Sequence, residues 1–95
     1  MTIAEFQRRI EAIYYAKDSV RGAARTFNWF VEEVGELARA LRRGDRKALE
    51  EECADVLAWL STLASIEKIE LEQAVGKYAA GCPKCGHTPC SCPEP

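Results

Sequence analysis

The sequence predicts an all-α protein, with a helical hairpin core of about four helices and a short cysteine-rich tail. Residues 1–80 contain no proline and are rich in Ala, Leu, Glu and Arg, which are strong helix formers. Apolar residues recur there at spacings of three and four, the period of an amphipathic helix. No segment shows the alternation of apolar and polar residues that is typical of a half-buried strand.

Helix 1 is predicted to begin at a capping box, Thr2-x-x-Glu5, in which each side chain bonds to the other residue's backbone N–H. The helix should end at about Lys17, and Gly22 marks the break before helix 2. The apolar residues expected to be buried on helix 1 are Ile3, Phe6, Ile10, Ile13 and Tyr14.

Helices 2 and 3 are predicted to form an antiparallel hairpin. Gly44 suits the position just past the end of helix 2, and Asp45 is a natural N-cap for helix 3. The apolar face of helix 2 is expected to hold Phe27, Phe30, Val31, Val34, Leu37, Ala38 and Leu41. The apolar face of helix 3 is expected to hold Leu49, Cys53, Val56, Leu57, Leu60, Leu63 and Ala64. A shorter helix 4 is predicted over about residues 71–80.

Residues 81–95 form a second region of different composition. They hold all four prolines and lack Val, Ile, Leu and aromatic residues, so they cannot build a hydrophobic core. The region contains four of the five cysteines, Cys82, Cys85, Cys90 and Cys92. Without an apparent secretion signal, such clustering favours a metal site over disulfides. The pattern Cys-x-x-Cys-Gly is typical of a zinc knuckle, so we expect these thiolates to bind structural Zn²⁺, with His87 as an alternative ligand. A disordered tail and a redox pair are the other interpretations.

The composition excludes several classes of partner. The net charge of −2 lacks the basic footprint of a nucleic-acid-binding domain. No apolar run approaches the roughly 20 residues needed to cross a bilayer. The N-terminus has no basic segment followed by an apolar one, so a cytoplasmic location is expected.

A chain of 95 residues buries a small core, so we expect it to assemble into a homodimer or homotetramer.

Two pairs of acidic residues lie three positions apart, and each pair therefore shares one face of a helix. Glu33 and Glu36 lie on helix 2, and Glu52 and Asp55 lie on helix 3. In a tight hairpin, residues equally far in sequence from Gly44 lie at equal height. Glu36 should therefore lie opposite Glu52, and Glu33 opposite Asp55.

Four converging carboxylates repel one another and are costly to desolvate. A bound divalent cation would offset that cost. Oxygen ligands favour a hard ion, so Mg²⁺ is expected and Mn²⁺ can substitute. Because Mg²⁺ held by a few carboxylates usually completes its shell with phosphate and water, a phosphate-bearing substrate is indicated. The alternative is that these are ordinary solvated carboxylates, as are common on helices.

The double motif resembles that of the MazG-like all-α nucleotide pyrophosphohydrolases, Glu-Glu-x-x-Glu, a spacer and Glu-x-x-Asp. This chain has Glu32-Glu33-x-x-Glu36, fifteen intervening residues, and Glu52-x-x-Asp55. The resemblance spans roughly residues 20–80. It implies Mg²⁺-dependent hydrolysis of a nucleoside triphosphate to the monophosphate and pyrophosphate, and house-cleaning of the nucleotide pool is one role that fits this activity. The implied metal ligands are Glu33, Glu36, Glu52 and Asp55.

The implied reaction needs a base and groups that bind the substrate. We expect a carboxylate that is not saturated by metal to accept a proton from water, with Glu36 first and Glu32 second. Cations would stabilise the pyrophosphate leaving group, and an aromatic ring would stack on the nucleobase. The expected substrate-binding residues are Lys77, Arg21, Arg25, Trp59, Trp29 and Asn28.

Two other functions fit parts of the sequence. One is a non-enzymatic helical interaction module with a structural zinc knuckle, which would have no need for facing carboxylates. The other is an enzyme similar to phosphoribosyl-ATP pyrophosphohydrolase. That family resembles this layout but has a His where this chain has Trp59, which argues against it.

Overall fold

The computed structural model describes residues 1–94, and this part of the chain contains helices and no strand. Three long helices are followed by a short one: α1 (Ile3–Arg21), α2 (Ala23–Arg43), α3 (Arg46–Ile66) and α4 (Leu71–Ala74). A 3₁₀ turn at Val75–Tyr78 continues α4. The predicted all-α class is therefore confirmed. None of the helices in the described range is both long and apolar enough to cross a bilayer.

Helices α2 and α3 form the predicted hairpin and make the most extensive helix–helix contact of the fold. Gly44 ends α2 with a φ of 68°, a left-handed conformation that glycine adopts without a steric penalty. The side chain of Asp45 then accepts a hydrogen bond of 3.1 Å from the Ala48 N–H and caps α3. Two adjacent residues thus set the turn that brings the two acidic motifs together.

Helix α1 packs mainly on α3, and its contact is unusually polar. The capping box of Thr2 and Glu5 is present at its start. The fully buried Gln7 donates hydrogen bonds to Ser65 Oγ at 3.1 Å and to the Ile69 carbonyl at 2.8 Å. Its Oε1 accepts from the Leu71 N–H at 2.9 Å. One side chain of α1 therefore fixes the end of α3 and the start of α4.

Three expectations about local structure were wrong. Helix α1 extends to Arg21, because residues 18–21 continue the helix until Gly22 breaks it. Helix α4 has four residues and then tightens into the 3₁₀ turn, so no regular helix spans residues 71–80. Cys53 is exposed on α3 and is not a core residue of the single chain.

The single chain buries few apolar side chains. Among residues 1–94, the buried apolar residues are Ile10, Ala40 and Ala64, and the expected core residues Ile3, Ile13 and Tyr14 of α1 are exposed. Several apolar residues on α2 and α3 are exposed as well, including Leu41 at 66 %. One further long helix, α1, cannot cover both sides of the hairpin, so much of the hairpin's apolar surface faces outward.

Candidate metal and nucleotide site

Three carboxylates from the two acidic motifs meet between α2 and α3. Oxygen atoms of Glu33, Glu52 and Asp55 all lie within 4.8 Å of one another. Glu33 and Asp55 are equally far in sequence from Gly44, so they face each other at one height of the hairpin, and Glu52 lies one turn from Asp55 on the same face. Glu33 and Glu52 are half-buried, and Asp55 is exposed.

The electrostatics of this group are unfavourable without a cation. Burial raises the pKa of Glu33 above its ordinary value, and a hydrogen bond with Glu52 and the negative charges of Asp55, Glu52 and Glu36 raise it further. Glu52 Oε2 is buried and has no hydrogen-bond partner among the described residues. A buried anionic oxygen without a partner is costly, and a metal ion is one of the few groups that can satisfy it.

The fourth predicted ligand, Glu36, lies outside this group of three. Its carboxylate forms an ion pair of 3.6 Å with Arg39, one turn further along α2. Glu36 lies three residues after Glu33 and so on the same side of the helix, and its charge contributes to the raised pKa of Glu33. Glu32 is exposed on α2. The structure therefore separates a compact set of three carboxylates from two nearby ones that remain accessible.

A cavity of about 280 Å³ lies beside the carboxylates, between α1 and α3. This volume is close to the lower end of small-molecule pockets, roughly 300 Å³. Its lining includes Tyr14, Lys17, Asp18 and Arg21 from α1 and Asp55, Trp59 and Thr62 from α3. Because Asp55 belongs to both the cavity wall and the carboxylate group, the cavity adjoins that group.

The aromatic residues predicted to contact the nucleobase form a stack with an arginine. The rings of Trp29 and Trp59 lie 6.2 Å apart with 17° between their planes. The guanidinium carbon of Arg21 lies 5.0 Å from the centre of the Trp59 ring. Trp59 thus already has two partners within the chain, whereas Trp29 is 48 % exposed.

Sequence reasoning missed a buried carboxylate in this wall. Asp18 is 3 % exposed, and its two oxygens accept hydrogen bonds from Arg21 Nη1 at 2.9 Å and from Thr62 Oγ1 at 3.0 Å. Arg21 Nη1 also lies 3.3 Å from Oγ1 of the fully buried Thr26. The spacing of Asp18 and Arg21, three apart, was a weak signal because such pairs are common on solvated helices.

The other predicted substrate-binding residues lie away from the cavity wall. Lys77 is in the 3₁₀ turn, with its ammonium 5.1 Å from the centre of the Tyr78 ring. Arg25 and Asn28 are exposed on α2. Of the three predicted cations, Arg21 is therefore the one that the single chain places beside the carboxylates.

Comparison with protein families matches residues 21–85 to the MazG nucleotide pyrophosphohydrolase domain. The match covers more than half of the chain. The chain belongs to this family. A comparison with curated proteins gives no match. The matched segment of the MazG domain includes both acidic motifs and the two tryptophans, and it ends at the second tail cysteine.

The cysteine tail of this MazG-family chain holds a second candidate metal centre. The four tail Sγ atoms all lie within 4.8 Å of one another, with Cys82 and Cys92 3.8 Å apart and Cys85 and Cys90 3.9 Å apart. The backbone N–H groups of Ser91 and His87 lower the pKa of the Cys85 thiol to about 5. His87 lies outside the thiol cluster, and its Nδ1 is 2.6 Å from Ser91 Oγ.

Proposed function

We propose that the protein is a Mg²⁺-dependent nucleoside triphosphate pyrophosphohydrolase, which releases nucleoside monophosphate and pyrophosphate. The family match supports nucleotide pyrophosphohydrolase activity in general. The observation that carries the finer proposal is the convergence of Glu33, Glu52 and Asp55 beside a cavity. A helical interaction module would gain nothing from three mutually repelling carboxylates.

The residues present fit a hard divalent cation. All donors are carboxylate oxygens, which Mg²⁺ and Mn²⁺ prefer. Oxygen ligands of one Mg²⁺, at about 2.1 Å each, lie at most about 4.2 Å apart. The group, whose oxygens lie within 4.8 Å of one another, therefore needs at most small side-chain movements to bind the ion. Glu33, Glu52 and Asp55 would hold it, and Glu36 would join if it left Arg39.

The bound cation would neutralise phosphate charge and lower the pKa of a coordinated water. The chain itself must accept the water proton and stabilise the leaving group. Glu36 is proposed as the base because it lies next to the three-carboxylate group without being part of it, and Glu32 is the second choice. Arg21 is proposed to bind the pyrophosphate portion, because it lines the cavity that Asp55 also lines.

The test is a panel of nucleoside triphosphates incubated with the protein and Mg²⁺, with released pyrophosphate and monophosphate measured separately. Stoichiometric release of both products from at least one triphosphate is expected, and EDTA should abolish it. Release of orthophosphate and diphosphate instead, or no turnover of any triphosphate with Mg²⁺ or Mn²⁺, would refute the proposal. The panel also identifies the preferred base and sugar.

We also propose that the functional form is a homodimer or homotetramer. Two apolar grooves share Leu60 and Leu71, one between α2 and α3 and the other beside the start of α1. Burial of apolar surface contributes roughly 25 cal/mol per Å², so a second copy on this face would stabilise the fold substantially. Two-fold pairing of hairpins is the usual way in which helical proteins cover such a surface.

The tail, residues 81–95, of which residue 95 lies outside the described range, is proposed to be a separate structural unit that binds one Zn²⁺ through Cys82, Cys85, Cys90 and Cys92. Zinc–thiolate bonds of about 2.3 Å place tetrahedral sulfur atoms about 3.8 Å apart, close to the two measured sulfur pairs. His87 lies outside the group of four thiols, so it is not proposed as a ligand. Four protein ligands leave no open position, so the ion would be structural and not catalytic.

A further inference from the structure

A buried carboxylate on α1 lies where an acidic side chain is costly. Asp18 is 3 % exposed, and it lies in the last turn of α1, at the negative end of the helix dipole. A buried carboxylate at this end of a helix needs partners that offset the cost of its desolvation. Its position lies before the segment that matches the MazG domain, so the family match does not account for it.

The contacts of Asp18 fix the orientation of Arg21. One Asp18 oxygen accepts from Arg21 Nη1, and the other accepts from Thr62 on α3. The Arg21 guanidinium is also held over the Trp59 ring. The Arg21 side chain, which would otherwise sample many rotamers, is therefore held by the Asp18 carboxylate and the Trp59 ring. The Asp18 carboxylate is itself held by Thr62 on the opposite wall of the cavity.

These contacts leave part of Arg21 available. They use Nη1, whereas Nε and Nη2 have no hydrogen-bond acceptor within residues 1–94. Guanidinium groups bind phosphate oxygens with two parallel N–H donors, and Nε and Nη2 form such a pair. Arg21 lines the same cavity as Asp55, which belongs to the three-carboxylate group.

We infer that Asp18 is a positioning residue, which holds Arg21 so that its free N–H groups bind the pyrophosphate portion of the nucleotide. This inference rests on the proposed function. Asp18 touches no substrate itself. It acts by fixing the guanidinium and by keeping Nη1 occupied, so that the fork formed by Nε and Nη2 faces the cavity.

Isothermal titration calorimetry with inorganic pyrophosphate in the presence of Mg²⁺ measures the affinity for pyrophosphate and tests the inference without requiring turnover. Arg21→Gln and Asp18→Asn should each weaken pyrophosphate binding by about tenfold or more, the range of a charge-assisted hydrogen bond. The double variant should bind no more weakly than Arg21→Gln alone, because Asp18 acts through Arg21. Arg9→Gln is the matched control, since it removes one exposed charge from the same helix.

Several outcomes would overturn the inference: no detectable binding by the wild-type protein, wild-type affinity in Asp18→Asn, or effects of the two substitutions that add. A merely structural Asp18 would lower the melting temperature without changing pyrophosphate affinity. If circular dichroism shows that Asp18→Asn does not fold, Thr62→Val is used in its place. The Thr62→Val variant removes the hydrogen bond that Thr62 donates to the other Asp18 oxygen. Unchanged affinity in that variant would equally refute the inference. Failure of wild-type turnover, with these binding differences intact, would refute the hydrolase proposal alone.

Discussion

Glu33 on α2 and Glu52 on α3 bring carboxylate oxygens within 4.8 Å of each other across the helix hairpin, and Asp55 joins them. Three anionic groups at this separation, two of them half-buried, oppose the packing of the helices that carry them. The fold therefore stores a local repulsion that a cation would relieve. Metal affinity and thermal stability should therefore both depend on the repulsion among these three carboxylates.

Removing one charge should stabilise the metal-free protein. In EDTA, we expect Glu52→Gln to raise the melting temperature, since relief of ~1 kcal/mol corresponds to about 4–8 °C for a domain of this size. The same variant should gain less stability from Mg²⁺ than the wild type does. Differential scanning calorimetry with and without Mg²⁺ measures both effects. A wild-type protein that responds to Mg²⁺ no more than to a matched ionic strength of NaCl would contradict the hard-metal assignment.

The pH dependence of stability should have a defined sign in the metal-free protein. Burial and the neighbouring carboxylates raise the pKa of Glu33 in the folded chain above the ordinary value of 4.5. Below that value both folded and unfolded chains hold the proton, whereas above it the unfolded chain ionises first. The free energy of unfolding in EDTA should therefore fall as pH rises from about 4.5 through the raised pKa. Glu33→Gln should flatten this slope, and an identical slope in that variant would show that another group is responsible.

Turnover should depend on Asp55 and Glu36 for different reasons. Asp55→Asn removes a proposed metal ligand, and Glu36→Gln removes the proposed base, so each should lower kcat by about 10²-fold or more with helical circular dichroism unchanged. Raising the Mg²⁺ concentration should restore activity partly in Asp55→Asn and not in Glu36→Gln. Glu50→Gln, at an exposed position on the same helix as Asp55, is the control. Wild-type rates in either site variant would remove that residue from the mechanism.

The sequence predicted the hairpin and three of its facing carboxylates because both depend on local rules. Gly44 and Asp45 specify the turn, and the helical period then determines which acidic residues share a height. The sequence did not predict the ion pair between Glu36 and Arg39, because helical periodicity places residues on a face but does not determine which neighbour a side chain contacts. Whether Glu36 returns to the metal group stays a prediction.

The α1 wall of the cavity was harder to predict for a related reason. The polar residues that fix α1, Gln7 and Asp18, have their partners 58 and 44 positions away at Ser65 and Thr62. Periodicity assigns a helix its apolar face but carries no information on such pairs. Gln7 and Asp18 take positions on α1 that face α3, and Ile13 is exposed, whereas Tyr14 is exposed as part of the cavity wall.

Zinc should be present at one ion per chain in protein purified without chelator. Replacing Zn²⁺ with Co²⁺ should give the visible absorption of tetrahedral thiolate coordination, and Cys85→Ser should abolish it. Cys53→Ser is the matched control because Cys53 is exposed on α3, outside the thiol cluster. His87→Ala should retain the ion. Metal analysis without zinc, combined with four freely titrating tail thiols, would refute this site.

The last prediction concerns assembly. Among residues 1–94, fifteen large apolar residues are exposed in the single chain, including Val20 at 87 % and Leu41 at 66 %. Leu60 lines both apolar grooves, so a charge there should prevent a second copy from packing on them. We expect light scattering to give a dimer or tetramer mass for the wild type. Leu60→Glu should shift the mass towards the 10.6 kDa monomer, whereas Lys47→Glu, at an exposed charged position of α3, should leave it unchanged. Circular dichroism checks that both variants remain helical. A wild-type monomer at micromolar concentration, with full activity on dilution, would refute the assembly, because it would show that one chain suffices for the fold and the site.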